Sequence, residues 1–141
     1  MTWVFWAVLS AVFAGITAIL AKVGVEHVDS NLATALRTTV VLVITWAIAF
    51  AVAPPGPIAM PGRRTMLFLG LSGVATGLSW LCYFRALQLG EASRVASIDK
   101  LSVVFVIILA GIFLRERMTW QLAIGGTLIV AGSLVLAWKA R

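Results

Sequence analysis

Apolar residues in this chain fall into five long runs, 3–25, 32–53, 65–89, 95–114 and 119–138, separated by short polar stretches. A hydrocarbon core about 30 Å thick takes roughly 20 apolar residues per helix, so each run predicts one membrane crossing. Short connections between successive helices imply antiparallel neighbours. The pattern therefore predicts an all-α integral membrane protein, built as a five-transmembrane-helix up-down bundle. The runs use most of the chain, leaving no room for a soluble domain, and 1–141 reads as one membrane domain without internal repeats. The second run closes at Pro54–Pro57 (Pro-Pro-Gly-Pro), where proline lacks the amide donor and restricts the residue before it.

Composition supports this reading: 62% of residues are apolar and 11% charged. The net charge of +6 comes from single or paired cations rather than a stripe, which argues for cationic ends on a membrane protein and against a nucleic-acid partner. The N-terminal run has no basic region before it and is too long for a signal-peptide core. Cys82 is the single cysteine and reads as a small packing residue. His27 has no second histidine to join it in a metal site, and no nucleophile–base–acid set or phosphate loop occurs. No enzyme activity, cofactor or metal is expected. Glu26 and Asp29 flank a loop and read as solvated, and Arg115-Glu116-Arg117 reads as an anchor for a tight interfacial turn.

Charge leaves the orientation open. With five spans the termini lie on opposite sides. Arg63, Arg64, Arg115 and Arg117 fall on the N-terminal side; Lys22, Arg85, Arg94, Lys139 and Arg141 fall on the C-terminal side. Such an even division gives no usable positive-inside bias. It predicts dual topology and antiparallel pairing, with a single orientation set by the first helix as the alternative. Trp3, Trp6, Trp120 and Trp138 sit near the ends of spans, where amphipathic rings prefer the interface, whereas Trp46 and Trp80 lie deeper.

Polar residues inside the spans are the candidates for function. Ser72, Thr76, Ser79 and Tyr83 form one stripe of the third helix, beside a seam of Gly73 and Gly77 that Gly125 and Gly132 repeat in the fifth. Ser10, Ala14, Ala18 and Lys22 share a ridge of the first helix, and Thr34, Arg37, Thr38 and Thr45 a face of the second. Small residues let helices approach and hydroxyls can bond across helices or to their own backbone, so each stripe also has a packing explanation. Lys22, Arg37, Arg85, Asp99 and Lys100 all lie in the half of the spans nearer the C-terminal side. Charges at such depth are costly and usually face protein or water. They predict a basic vestibule suited to an anionic group of a substrate or lipid; snorkelling is the alternative for the long cations. Asp99 is expected to pair with Lys22 or Arg37 and to titrate.

The stretch Tyr83-Phe-Arg-Ala-Leu87, then Glu91-Ala-Ser93, Leu114-Arg-Glu-Arg117, Gln121, Gly125 and Gly132 resembles the C-terminal part of an EamA repeat of the drug/metabolite transporter superfamily. Ala18–Lys22 and Asn31–Arg37 resemble its opening, so the resemblance covers nearly the whole chain. It implies half of an inverted-repeat architecture, completed by an antiparallel partner around a shared cavity. Family members often carry a proline near Ser102–Val103; its absence here puts a family-like kink in question. Glu116 matches the recurrent glutamate of the repeat and is expected to serve the turn.

The resulting expectation is a small secondary transporter in the cell (inner) membrane. It would export small metabolites or toxic compounds by alternating access as an antiparallel homodimer. Asp99 and Lys22 would couple charge movement, and Arg37 and Lys100 would bind or steer an anionic group. Ser72, Thr76, Ser79, Tyr83 and Trp80 would contact substrate, and Gly73, Gly77, Gly125 and Gly132 would serve helix packing or the dimer. A flippase component for a lipid-linked carrier, or a non-transporting assembly subunit, are the alternatives.

Overall fold

A computed structural model describes residues 2–52 and 61–138. The Pro54–Pro57 run, Lys139 and Arg141 lie outside the described residues. Among the described residues six helical segments follow one another: α1 (Trp3–Val25), α2 (Ser30–Val52), α3 (Arg63–Leu89), α4 (Ala92–Asp99), α5 (Ser102–Phe113) and α6 (Trp120–Ala137). With α4 and α5 taken as one span, Ala92–Phe113, five helices are long and apolar enough to cross a membrane. No strand occurs among the described residues.

The chain divides into two compact units, Ala21–Gln88 and a second comprising Met1–Leu20 with Leu89–Arg141. In the first unit, the Asp29 carboxylate accepts from the amides of Asn31 and Leu32 at 2.9 and 3.2 Å, which starts α2 at Ser30. This is N-capping, worth about 1 kcal/mol. Asp29, expected to be merely solvated, sets a helix boundary, two residues ahead of the apolar run. The buried side chains Ala21, Val25, Ser30, Thr34, Phe84 and Leu87 gather where α1 ends, α2 begins and α3 ends.

That end is closed by reciprocal capping. Helix C-termini leave their last four carbonyls without intrahelical donors. Lys22 of α1 donates to the Leu87 carbonyl of α3 at 2.6 Å. Gln88 of α3 donates in return to Val25 of α1 at 3.4 Å and to Val28 just beyond it at 2.7 Å. Arg85 binds the Gln88 carbonyl oxygen at 2.9 Å and holds that amide in place.

In the second unit α4 and α5 both pack on α6. Gly126 is buried there, and a Cβ on it would meet Ile107 Cδ1 at 3.6 Å. The fourth span is not the continuous helix expected over 95–114. It breaks at Lys100–Leu101, without a proline. The Lys100, Leu101 and Val103 amides bond three residues back, to Ser97, Ile98 and Lys100, at 3.0–3.2 Å. This is the tighter 3₁₀ pattern. The Ser97 carbonyl also accepts the hydroxyl of Ser133, a buried residue of α6, at 2.8 Å. A side-chain hydroxyl thus occupies a carbonyl of the helix ladder, and Ser97 bonds back to the Ser93 carbonyl at 2.7 Å, a geometry that bends helices. The absence of proline did not leave the helical ladder uninterrupted.

After α5, Arg115 takes a left-handed conformation (φ 55°). It lets Glu116 donate its amide back to the Ala110 carbonyl at 3.2 Å, which closes the turn. Thr119 then caps α6 by accepting from the Leu122 amide at 3.4 Å.

Candidate substrate-binding site

Within the Ala21–Gln88 unit the charged residue of greatest depth is Arg37. Its guanidinium carbon lies 4.4 Å from the centroid of the Trp80 ring and 5.5 Å from that of Phe84. Trp80 and Phe84 are one helical turn apart, so α3 presents both rings on one face. A cation over an aromatic face gains about 0.5–1 kcal/mol when exposed and about 2 when desolvated. Thr34, one turn before Arg37 and buried, and Thr38 beside it return their hydroxyls to the carbonyls of Ser30 and Thr34, both at 2.7 Å. They add polarity to the neighbourhood without competing for the guanidinium. Tyr83 is half-buried on α3.

The other expected site residues are distributed as follows. Asp99 and Lys100 belong to the second unit, where they pair with each other at 3.8 Å and are exposed. Lys22 is engaged on the Leu87 carbonyl and Arg85 on Gln88. On the third-helix stripe, Ser72, Thr76 and Ser79 are exposed, and the Thr76 hydroxyl bonds back to the Ser72 carbonyl at 2.9 Å. Apart from the chain neighbours and backbone of their own helix, no described atom lies within 4 Å of where a Cβ would sit on Gly73, Gly77, Gly125 or Gly132. Within the second unit Gly126 of α6 meets Ile107.

Three participants went unrecognised in the sequence. Phe84, under the guanidinium, stands four residues after Trp80, a spacing that shares a helix face and could have signalled it. Gln88 carried no such signal, because its acceptors are backbone carbonyls. Ser133 looked like any other hydroxyl in an apolar helix.

The chain matches the EamA-like transporter family over residues 1–138. It belongs to that family. The EamA-like chain is thus a multi-pass membrane protein of a transporter family, its five spans agreeing with the match. It is 52% identical over 137 residues to an uncharacterized transporter in the cobO 3′ region of a Sinorhizobium species, covering 96% of both chains. It is 35% identical over 95 residues to a probable terminal-alkyne amino-acid exporter of Streptantibioticus cattleyicolor, covering 64% of this chain and 31% of that protein. A further 35% identity, over 81 residues, relates it to the uncharacterized transporter YvbV of Bacillus subtilis, covering 57% of this chain and 26% of the relative. No solved structure matches it significantly.

Proposed function

We propose that this EamA-like chain is a small secondary exporter of the inner membrane. It moves small metabolites or toxic compounds by alternating access between two antiparallel copies. The observation that carries this reading is the exposed hydroxyl face Ser72–Thr76–Ser79 on a span otherwise bordered by exposed apolar side chains such as Leu71, Val74 and Leu78. In a single copy that face meets lipid; a second copy turns it into one wall of a shared cavity. Gly73 and Gly77 beside it, and Gly125 and Gly132 on α6, have open space over them and are assigned to contact between copies. The near-even loop charge favours insertion in both orientations. The family match and a relative named as an exporter support the transport reading.

Of the two residues expected to couple charge movement, Lys22 is held on the Leu87 carbonyl, so the coupling role passes to Asp99, which faces Lys100 at the break in the fourth span. Arg37 and Trp80 contact the substrate from α2 and α3, with Tyr83 beside them. Two measurements test this. Reporter fusions after Trp138 should give signals from both compartments, and signal from one alone refutes antiparallel insertion. Purified protein in proteoliposomes should move a member of a metabolite and drug panel, with Asp99→Asn abolishing dependence on an imposed pH gradient.

A further inference from the structure

We infer that Arg37, held against Trp80 and Phe84, is a receptor for the carboxylate of a small amphipathic organic acid, which names a substrate class for the exporter and rests on that reading. The first ground is depth. Arg37 lies about 10 Å along the α2 axis from its first residue, Ser30. The ring it approaches more closely is Trp80, about 13 Å from the α3 end at Leu89, rather than Phe84, about 7 Å from that end. A snorkelling arginine directs its head toward the interface. This one is held inward, by the deeper ring.

The second ground is the state of its donors. Aromatic faces cover the plane of a guanidinium but accept none of the N–H bonds directed along its edges. Among the described residues Arg37 takes part in no ion pair; it lies against the two rings and interacts electrostatically with the neighbouring Tyr83. A guanidinium without an anionic partner at this depth is costly, and a ligand that brings a carboxylate offsets that cost.

The third ground selects the acceptor. A planar carboxylate takes two parallel N–H bonds from one guanidinium edge and matches its single charge. A phosphate monoester carries closer to two charges and calls for a second cation. The other cations of this unit's spans on the same side as Arg37, Lys22 and Arg85, are engaged on Leu87 and Gln88. Half-buried Trp80 supplies an apolar wall beside the fork, which suits an acid with an apolar body.

The test is binding to the purified protein in nanodiscs, followed by calorimetry. Phenylacetate is the probe, and phenylacetamide, which has the same shape without charge, is the control. Phenylacetate should bind about 10- to 100-fold more tightly than the amide, the difference a charge-assisted pair makes. Arg37→Gln should erase the difference. Arg37→Lys, which keeps charge but not the fork, should retain part of it, and this variant guards against a loss that merely reports misfolding. Equal affinity for acid and amide overturns the proposal. So does retention of phosphatidylglycerol that depends on Arg37 while phenylacetate fails to bind. Flux through proteoliposomes separates the two readings. Arg37-dependent binding without flux leaves the receptor standing and refutes the exporter. Phenylacetate flux unchanged by Arg37→Gln leaves the exporter standing and refutes the receptor.

Discussion

Replacing Lys22 with methionine keeps the length and most of the apolar stem of the side chain while removing the ammonium that sits on the Leu87 carbonyl at 2.6 Å. That carbonyl lies in the last turn of α3 and belongs to a residue with no exposed surface. Without Lys22 it loses a partner that water and lipid are poorly placed to replace. A hydrogen bond to a charged group contributes about 1.5–3 kcal/mol, and a cation at a helix C-terminus a further 0.3–1 kcal/mol or so. Opposing this, the substitution removes the cost of holding an ammonium near the membrane. Lys22 is about one turn from the end of α1, so that gain is small beside the roughly 2.5–3.5 kcal/mol of a cation at the bilayer centre. The net expectation is a loss of about 1–3 kcal/mol. By the scaling of soluble domains, 2 kcal/mol lowers the melting temperature by roughly 4–8 °C. Tryptophan fluorescence during heating in detergent reads it directly. Lys22→Arg should recover most of the loss, because it keeps a cationic donor. A Lys22→Met protein with wild-type melting but no pH-coupled transport would refute the capping argument and restore Lys22 to a coupling role.

Further substitutions probe other parts of the fold. Ser133→Ala should cost about 0.5–1.5 kcal/mol, in the range of interhelical hydrogen bonds in membranes, and should slow amide exchange at Leu101 as the fourth span regains a regular ladder; unchanged exchange there would show that the hydroxyl does not hold the break. Gly126→Ala should be tolerated, since its Cβ meets Ile107 at an ordinary 3.6 Å, whereas Gly126→Leu should lower stability by about 1–3 kcal/mol in thermal melts. Arg115→Gly should raise stability by about 1 kcal/mol by relieving the left-handed conformation, and a decrease would mean that the arginine side chain itself anchors the turn.

The spans were legible because apolar runs of about 20 residues have few other uses, and the described turns because short polar stretches interrupt them. What depended on distant partners was not. The break at Lys100–Leu101 is tied to a hydroxyl 36 residues further on from Ser97, and a search for proline could not find it. Lys22 read as an intramembrane charge because its acceptor is a backbone carbonyl 65 residues away, a group every residue carries. Arg37 and Trp80 were both singled out, but their meeting rests on the register between α2 and α3, which periodicity does not specify. The earlier start of α2 was present in the sequence as Asp29 before Ser30-Asn31, a capping signal that the apolar run alone passes over.

The interruption of the fourth span bears on how the chain enters the membrane. With 8 and 12 residues, α4 and α5 are about 12 and 18 Å long, each short of the bilayer core. Asp99 and Lys100 stand where they meet, each adding up to about 3 kcal/mol against partition from the translocon. The Ser97 carbonyl at the break accepts from the Lys100 amide and also from the hydroxyl of Ser133, which is synthesised later. The fourth span therefore settles with its successor, the two leaving the translocon as a hairpin. A nascent chain stalled before Ser133 emerges should leave a cysteine at Ser102 open to a water-soluble thiol reagent, and a longer chain should protect it. Protection in the shorter chain would show that the fourth span inserts unaided.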